Sequence, residues 1–203
     1  NMIDFVSVDG YRISYKQSEL VQSSGTKSAI VPGKSLGEIA KILSADEDEK
    51  AVIYFTDNHI MVDIDGNIVV SRLIQGDFIK YQQSFTNDYK TSAKINKNEM
   101  LNSLERASLI ARDSRKIPVK MEISGSNIII TSNAETSTAY EEVSAEIDGD
   151  KLLIAFNPKY LIDALRAIDD EEVYIHFNTQ LSPCVFKPVE GDSYKYLVLP
   201  LRM

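Results

Sequence analysis

Apolar residues recur at every second position along most of the chain and at every third or fourth position in three places, and these changes of period divide it into elements. Residues 156–168 carry the helical period: Leu161, Leu165 and Ile168 share one face, and Lys159, Asp163 and Arg166 share the opposite one. Asn157 stands where an N-cap accepts from the orphan donors of the first turn, and Pro158 takes the first helical position, where a missing N–H costs nothing. Residues 31–43 repeat the pattern, with Lys34, Leu36 and Lys41 in the places of Lys159, Leu161 and Arg166. A looser third copy begins at Ile95, with Asn96 and Glu99 at capping-box spacing and Met100 and Leu104 on the apolar side, and predicts a helix from 96 to about 112.

The alternating stretches predict strands. Residues 3–8 turn at Asp9-Gly10 into 11–15, and 29–31 is a short strand that feeds the first helix. Residues 51–55, 60–64 and 67–73 follow, with turns at Asp57-Asn58 and Asp65-Gly66. Beyond the strand at 92–95 and its helix, 119–124 is expected to pair with 127–132 across Gly125-Ser126, and 138–147 with 151–156 across 148–150. The last strands are 173–178, 184–187 and 194–199. Acidic runs at 46–49 and 169–172 lead from a helix into the next strand, and residues 74–90, holding Phe78, Ile79, Tyr81 and Phe85, show no clear period and read as a connection between domains. The fold class is therefore α+β, built of repeated strand-helix-three-strand units with antiparallel sheets and helices on one face. Residues 1–88 read as a unit whose first half is mostly missing, and 89–203 as a complete one with two halves.

Composition removes several classes of function. With 203 residues, 43% hydrophobic and 26% charged, the chain can bury a sizeable core, and no apolar run approaches the ~20 residues of a membrane helix. The single cysteine, Cys184, makes no internal disulfide, so a reducing cytoplasm is expected. A net charge of −8 argues against gripping nucleic acid with the whole surface and leaves only local contacts. One cysteine and two well-separated histidines, His59 and His176, do not make a zinc site, and no phosphate-binding loop, dinucleotide fingerprint or nucleophile elbow is present, so neither cofactor nor catalysis is expected. His176, on the strand face of Tyr174, reads as a structural histidine, and the pairs Asp169-Asp170 and Glu171-Glu172 as a solvated loop.

Three places taken together are more specific: Asp9-Gly10-Tyr11-Arg12, the helices with partly cationic faces, and the terminal Tyr196-Leu197-Val198-Leu199-Pro200-Leu201-Arg202-Met203. Their order resembles the bacterial sliding clamp, the beta subunit of the DNA polymerase III holoenzyme, along essentially the whole sequence, as the later part of its second domain and its whole third domain. The resemblance implies a DNA polymerase processivity factor in which two protomers close into a homodimer ring around duplex DNA. It makes Lys34, Lys41, Lys97, Arg106, Lys159 and Arg166 candidates to face DNA phosphates without base readout. It makes Leu109 and Ile110, with Glu141 and Glu142 as an acidic rim, candidates for the contact with the next protomer. It also implies a groove for short peptides of polymerase, clamp-loader and repair proteins, typically a glutamine followed by leucine and a terminal hydrophobic or aromatic pair. Its residues are Gly10, Tyr11, Arg12, Ile13, Ile79, Tyr81, Pro183, Leu197, Leu199, Pro200, Leu201 and Arg202, with Arg12 and Arg202 as the polar rim. The family usually has Phe-Pro-Asp-Tyr in the connection, and here Phe78-Ile79-Lys80-Tyr81 lacks the proline and the acid. A peptide-binding scaffold without a DNA role is the competing reading.

Overall fold

The computed structural model describes residues 1–43, 50–110 and 118–203, so the first acidic run and the end of the helix expected to reach 112 lie outside the described residues. In chain order the elements are β1 (Met2–Asp9), β2 (Arg12–Glu19), α1 (Gly33–Ile42), β3 (Ala51–Phe55), β4 (His59–Ile64), β5 (Asn67–Arg72), a 3-10 turn (Tyr81–Ser84), β6 (Thr91–Asn96), α2 (Lys97–Leu109), β7 (Val119–Ser124), β8 (Asn127–Asn133), β9 (Thr138–Gly149), β10 (Leu152–Phe156), α3 (Pro158–Arg166), β11 (Glu172–Phe177), β12 (Cys184–Pro188) and β13 (Tyr194–Val198). They form two compact units, one of residues 21–80 with Asn1, the other of 2–20 with 81–203.

In the first unit β3, β4 and β5 make an antiparallel sheet in that order. Its alternation turns Ile60, Val62 and Ile64 inward, where they meet Ile39 of α1 in a small buried cluster. Asp65 and Gly66, at φ 48 and 84, make the two-residue turn between β4 and β5; both central residues are left-handed, as the twist of a tight hairpin demands. α1 has Pro32 at its N-cap and hence no side-chain acceptor there, unlike the other two helices.

In the second unit ten strands form one antiparallel sheet in the order β1-β2-β13-β12-β11-β6-β9-β8-β7-β10. Its inner face, with Met121, Ile123, Ile130, Ile154, Phe156 and Ile175, closes on Met100, Leu104 and Ala107 of α2 and on Leu161 and Leu165 of α3. The helix starts follow from their caps. Asn157 Oδ1 accepts from Lys159 N at 3.1 Å, and Asn96 Oδ1 from Glu99 N at 3.0 Å. The Glu99 carboxylate does not complete the capping box; it accepts from Ser144 N at 3.4 Å.

One expected pairing is wrong. β9 and β10 do not form a hairpin: β9 pairs with β8 over 138–144 and with β6 over 145–149, while β10 pairs with β7. The connecting residues spend their polar groups on the start of β6. Asp150 N donates to Lys90 O at 3.3 Å, and Thr91 Oγ1 donates to Asp150 O at 2.7 Å. Leu201 N donates to Ala155 O at 2.7 Å, which attaches the terminal segment to β10.

Candidate functional site

β2 and β13 pair with Ile13 opposite Leu197 and Arg12 opposite Val198, and Leu199 N continues the ladder to Tyr11 O at 2.9 Å. Because successive side chains point to opposite faces, this two-strand seam presents two different surfaces. On one, Ile13, Val185 and Leu197 are buried together, with Val6, Tyr81, Phe85 and Tyr89 packed over them. The three aromatics of residues 81–89 fall four apart. Tyr81 stacks on Tyr15 with ring centroids 6.1 Å apart, and Tyr89 stacks on His176 at 4.4 Å. Burial, then the hydrogen bond and charge of Asp4, push the Tyr15 phenol up to about 12, so it stays a neutral donor.

On the other surface a cavity of about 180 Å³ lies between the seam and α3, lined among others by Ser7, Arg12, Ser14, Tyr160, Asp163 and Tyr196. Arg12 Nε donates to Asp9 Oδ2 at 2.8 Å and Nη1 to Asp163 Oδ2 at 2.7 Å, and its guanidinium lies 4.6 Å from the ring centroid of Tyr160. Tyr160 in turn stacks on Tyr11, centroids 5.7 Å apart. Asp9 Oδ1 accepts from the backbone N–H groups of both Tyr11 and Arg12 at 3.0 Å. Burial opposes ionisation of Asp9, but the Arg12 guanidinium and those amides outweigh it and hold the carboxyl below its ordinary value.

The structure brings most of the expected groove residues together within the second unit. Gly10 and Tyr11 are exposed at the turn, Leu199 is 38% exposed, Pro200 and Leu201 are half-buried and Arg202 is exposed. Pro183 is half-buried beside Cys184, whose thiol is pushed up by complete burial and is chemically quiet. Ile79 is exposed and belongs to the first unit, whereas Tyr81 belongs to the second. Phe85, Val185, Tyr160 and Asp163 were not among the expected groove residues. The first belongs with Tyr81 and Tyr89 to a spacing of four within a stretch that otherwise shows no period, and nothing in the spacing around Tyr160 marks it. His176 shares a 2.8 Å hydrogen bond with Ser92 Oγ and lies against Tyr89 and Tyr174; burial, then the Lys187 charge, lower it to about 4. That leaves it a neutral stacking partner. Among the described residues no cluster of three or more His, Cys, Asp or Glu could hold a metal ion, and no helix is long and apolar enough to cross a membrane.

A family model described as "DNA polymerase III beta subunit, C-terminal domain" matches residues 82–202, and one described as "DNA polymerase III beta subunit, central domain" matches residues 1–80. The chain belongs to the DNA polymerase III beta subunit family. Beta sliding clamps of Staphylococcus epidermidis and Staphylococcus aureus are 35% and 33% identical to it, over 100% of this chain and 54% of their own length. A solved sliding clamp from Bacillus subtilis superposes with a TM-score of 0.93 at 28% identity, and a DNA polymerase III beta subunit from Thermotoga maritima with 0.90 at 26%; both cover 100% of this chain, which spans 54% and 55% of them. The chain thus spans about half the length of the curated relatives that it matches. The hairpin β1-β2 falls within the central-domain match yet packs, through β13, with the unit that carries the C-terminal match.

In this sliding-clamp chain the cations singled out for DNA differ in how free they are. Lys34 and Lys159 are exposed and make no ion pair among the described residues. Lys41 pairs with Glu38 at 2.9 Å, Arg166 with Glu105 at 2.7 Å, and Lys97 Nζ donates to Ile168 O at 3.0 Å. Arg106 makes a two-pronged contact with Glu141, Nε–Oε1 2.9 Å and Nη2–Oε2 2.5 Å. Exposed pairs of this kind are weak, because solvent screens both charges. At the end of α2, Leu109 is 51% exposed and Ile110 half-buried. Glu141 faces α2, but Glu142 points to the other side of β9 and accepts from Asn127 Nδ2, because neighbours on a strand alternate.

Proposed function

We propose that this chain is the groove-bearing part of a DNA polymerase processivity factor, a non-catalytic role that needs no cofactor. In a protein of its relatives' full length, two protomers form a cytoplasmic ring around duplex DNA, and the groove tethers polymerase, clamp-loader and repair proteins by short peptides. Residues 1–88 then stand for the later part of a second domain and 89–203 for a third. Lys34, Lys41, Lys97, Arg106, Lys159 and Arg166 face DNA, and Leu109, Ile110 and Glu141 face the next protomer, with Glu142 set on the far side of its strand. The observation that carries this reading is the convergence of two sequence ends: residues 10–13 and 197–202 meet over the buried Ile13–Leu197 pair and leave Leu199 accessible beside Tyr11. An accessible leucine beside an exposed tyrosine suits leucine and aromatic anchors.

Titration with a peptide of the glutamine-leucine-phenylalanine type is expected to saturate, and Leu199→Ala to weaken it by about 1–3 kcal/mol, roughly fivefold to a hundredfold, without loss of fold. Lys195→Ala should change it little, because Lys195 is engaged with Asp192 at 3.1 Å. Unchanged affinity of a folded Leu199→Ala variant sinks the groove. The competing scaffold reading is favoured by the ion pairs that already engage Lys41, Arg106 and Arg166. Full-length protein loaded on DNA separates the two: a clamp stays on circular DNA and runs off linear DNA, and a scaffold shows no such difference.

A further inference from the structure

Side chains alternate between the two faces of a strand, so the β3-β4-β5 sheet of the first unit has an outer face opposite the one that Ile60, Val62 and Ile64 turn toward α1. A sheet face left to water ordinarily carries polar residues. This one carries Val52, Tyr54, Met61, Ile68 and Val70, of which Ile68 and Val70 are 61% and 60% exposed. The register arranges the face in rows across the strands. Tyr54, Met61 and Val70 make the middle row, with Val52, Asp63 and Ile68 on one side of it and His59 and Arg72 on the other. Arg72 is exposed and Asp63 half-buried, and neither has an ion-pair partner among the described residues; Asp63 Oδ1 accepts from Gly66 N at 3.0 Å. Past the strand ends, Lys50 and Asp65 flank the Asp63 row and offset one another, and Asp57 lies in the turn beyond the Arg72 row.

An apolar row between an unpaired acid and an unpaired cation is self-complementary. Two copies placed face to face across a two-fold axis can meet in two ways. With the axis along β4, His59 and Asp63 each face their own twin, and like charges oppose. With the axis along the middle row, Tyr54, Met61 and Val70 meet their twins, and the Arg72 end of each copy lies over Asp63 of the other. We propose that this outer face is a self-association surface, occupied by a second copy of the chain in the latter arrangement, with strands antiparallel across the contact. None of its residues belongs to the groove or to the set assigned to the next protomer in the ring, so the inference is independent of the proposed function. Five apolar side chains on three strands cover less than the ~800 Å² per partner of a standard interface, so the dimer is weak and forms at high concentration.

Sedimentation velocity of the 203-residue chain at low salt is expected to show monomer and dimer in exchange, with Kd on the order of 100 μM. Val70→Asp puts two carboxylates together at the two-fold and should abolish the dimer up to about 1 mM. Arg72→Glu should raise Kd about tenfold. Asp63→Asn, which keeps an acceptor for Gly66 N, should raise it about threefold and make it less sensitive to salt than the wild type. Val70→Cys should cross-link to its twin through a short bismaleimide, because packed sheets lie ~10 Å apart and the native Cys184 is buried; this arm keeps the test alive if Val70→Asp does not fold. A chain that stays monomeric at about 1 mM leaves the face to a different partner or to none and overturns the inference. So does a dimer that either folded variant, Val70→Asp or Arg72→Glu, leaves unchanged, or one in which Val70→Cys does not cross-link.

Discussion

Gly149→Ala is expected to destabilise the second unit by at least about 3 kcal/mol, because the substitution combines backbone strain with a collision. Gly149 has φ +113, and a Cβ there would stand 2.0 Å from Lys90 O and 2.8 Å from Thr91 Cα. Both are backbone atoms and cannot swing aside like the end of a side chain. The approach is close because β9 ends here against β6, with Gly149 opposite Thr91 and Asp150 N donating to Lys90 O. Lys90 follows Tyr89, the last aromatic anchor over the Ile13–Leu197 cluster, so displacement at this point moves the cover of that cluster as well. Gly125→Ala is the control: Gly125 also has positive φ, +63, but nothing lies within 4 Å of its would-be Cβ. It should cost only the conformational share, about 1 kcal/mol. Urea unfolding of the two variants decides the matter; equal losses would mean that the close approach to Lys90 carries no weight.

Phe156→Ala should cost about 3–5 kcal/mol, the range for removing a large ring from a core that collapses only in part. Phe156 is 0% exposed, pairs across from Val119, and packs in the cluster shared by the sheet and both helices. It also immediately precedes Asn157, the cap of α3, and follows Ala155, which accepts from Leu201 N. Loss of the ring should therefore reach both the start of α3 and the terminal segment. Leu153, on the same strand but 44% exposed, faces away from the core, and Leu153→Ala should stay within about 0.5 kcal/mol. A midpoint for Phe156→Ala close to that of Leu153→Ala in urea would contradict the core assignment.

Elements whose causes lie within a few residues could be read from the chain. Asn157, Pro158 and the spacing of Leu161, Leu165 and Ile168 specify α3 through a cap, a fixed φ and one apolar stripe, all of them interactions inside two or three turns. The β7–β8 hairpin is local for the same reason, its strands joined by Gly125 and Ser126 alone. The proposed groove was suggested mainly by the two end motifs and their resemblance to a known family, since nothing in local periodicity says that residues 10–13 and 197–202 meet. Arg12 shows the limit. Its sequence neighbours announce a turn and a strand, but the partner that determines its chemistry, Asp163, lies 151 positions away.

Apolar spacing, capping residues and turn glycines thus determined by themselves where the helices and most strands lie and which face of each is buried, because those preferences are settled between near neighbours before any distant contact forms. Tertiary structure decided which strands pair, as with β9 turning to β6 while β10 goes to β7. It also placed the aromatics of residues 81–89 over Ile13 and Leu197, and set the two carboxylates on Arg12. Each of these choices trades the entropy of closing a long loop for a contact whose partner cannot be inferred from the spacing of the residues around it.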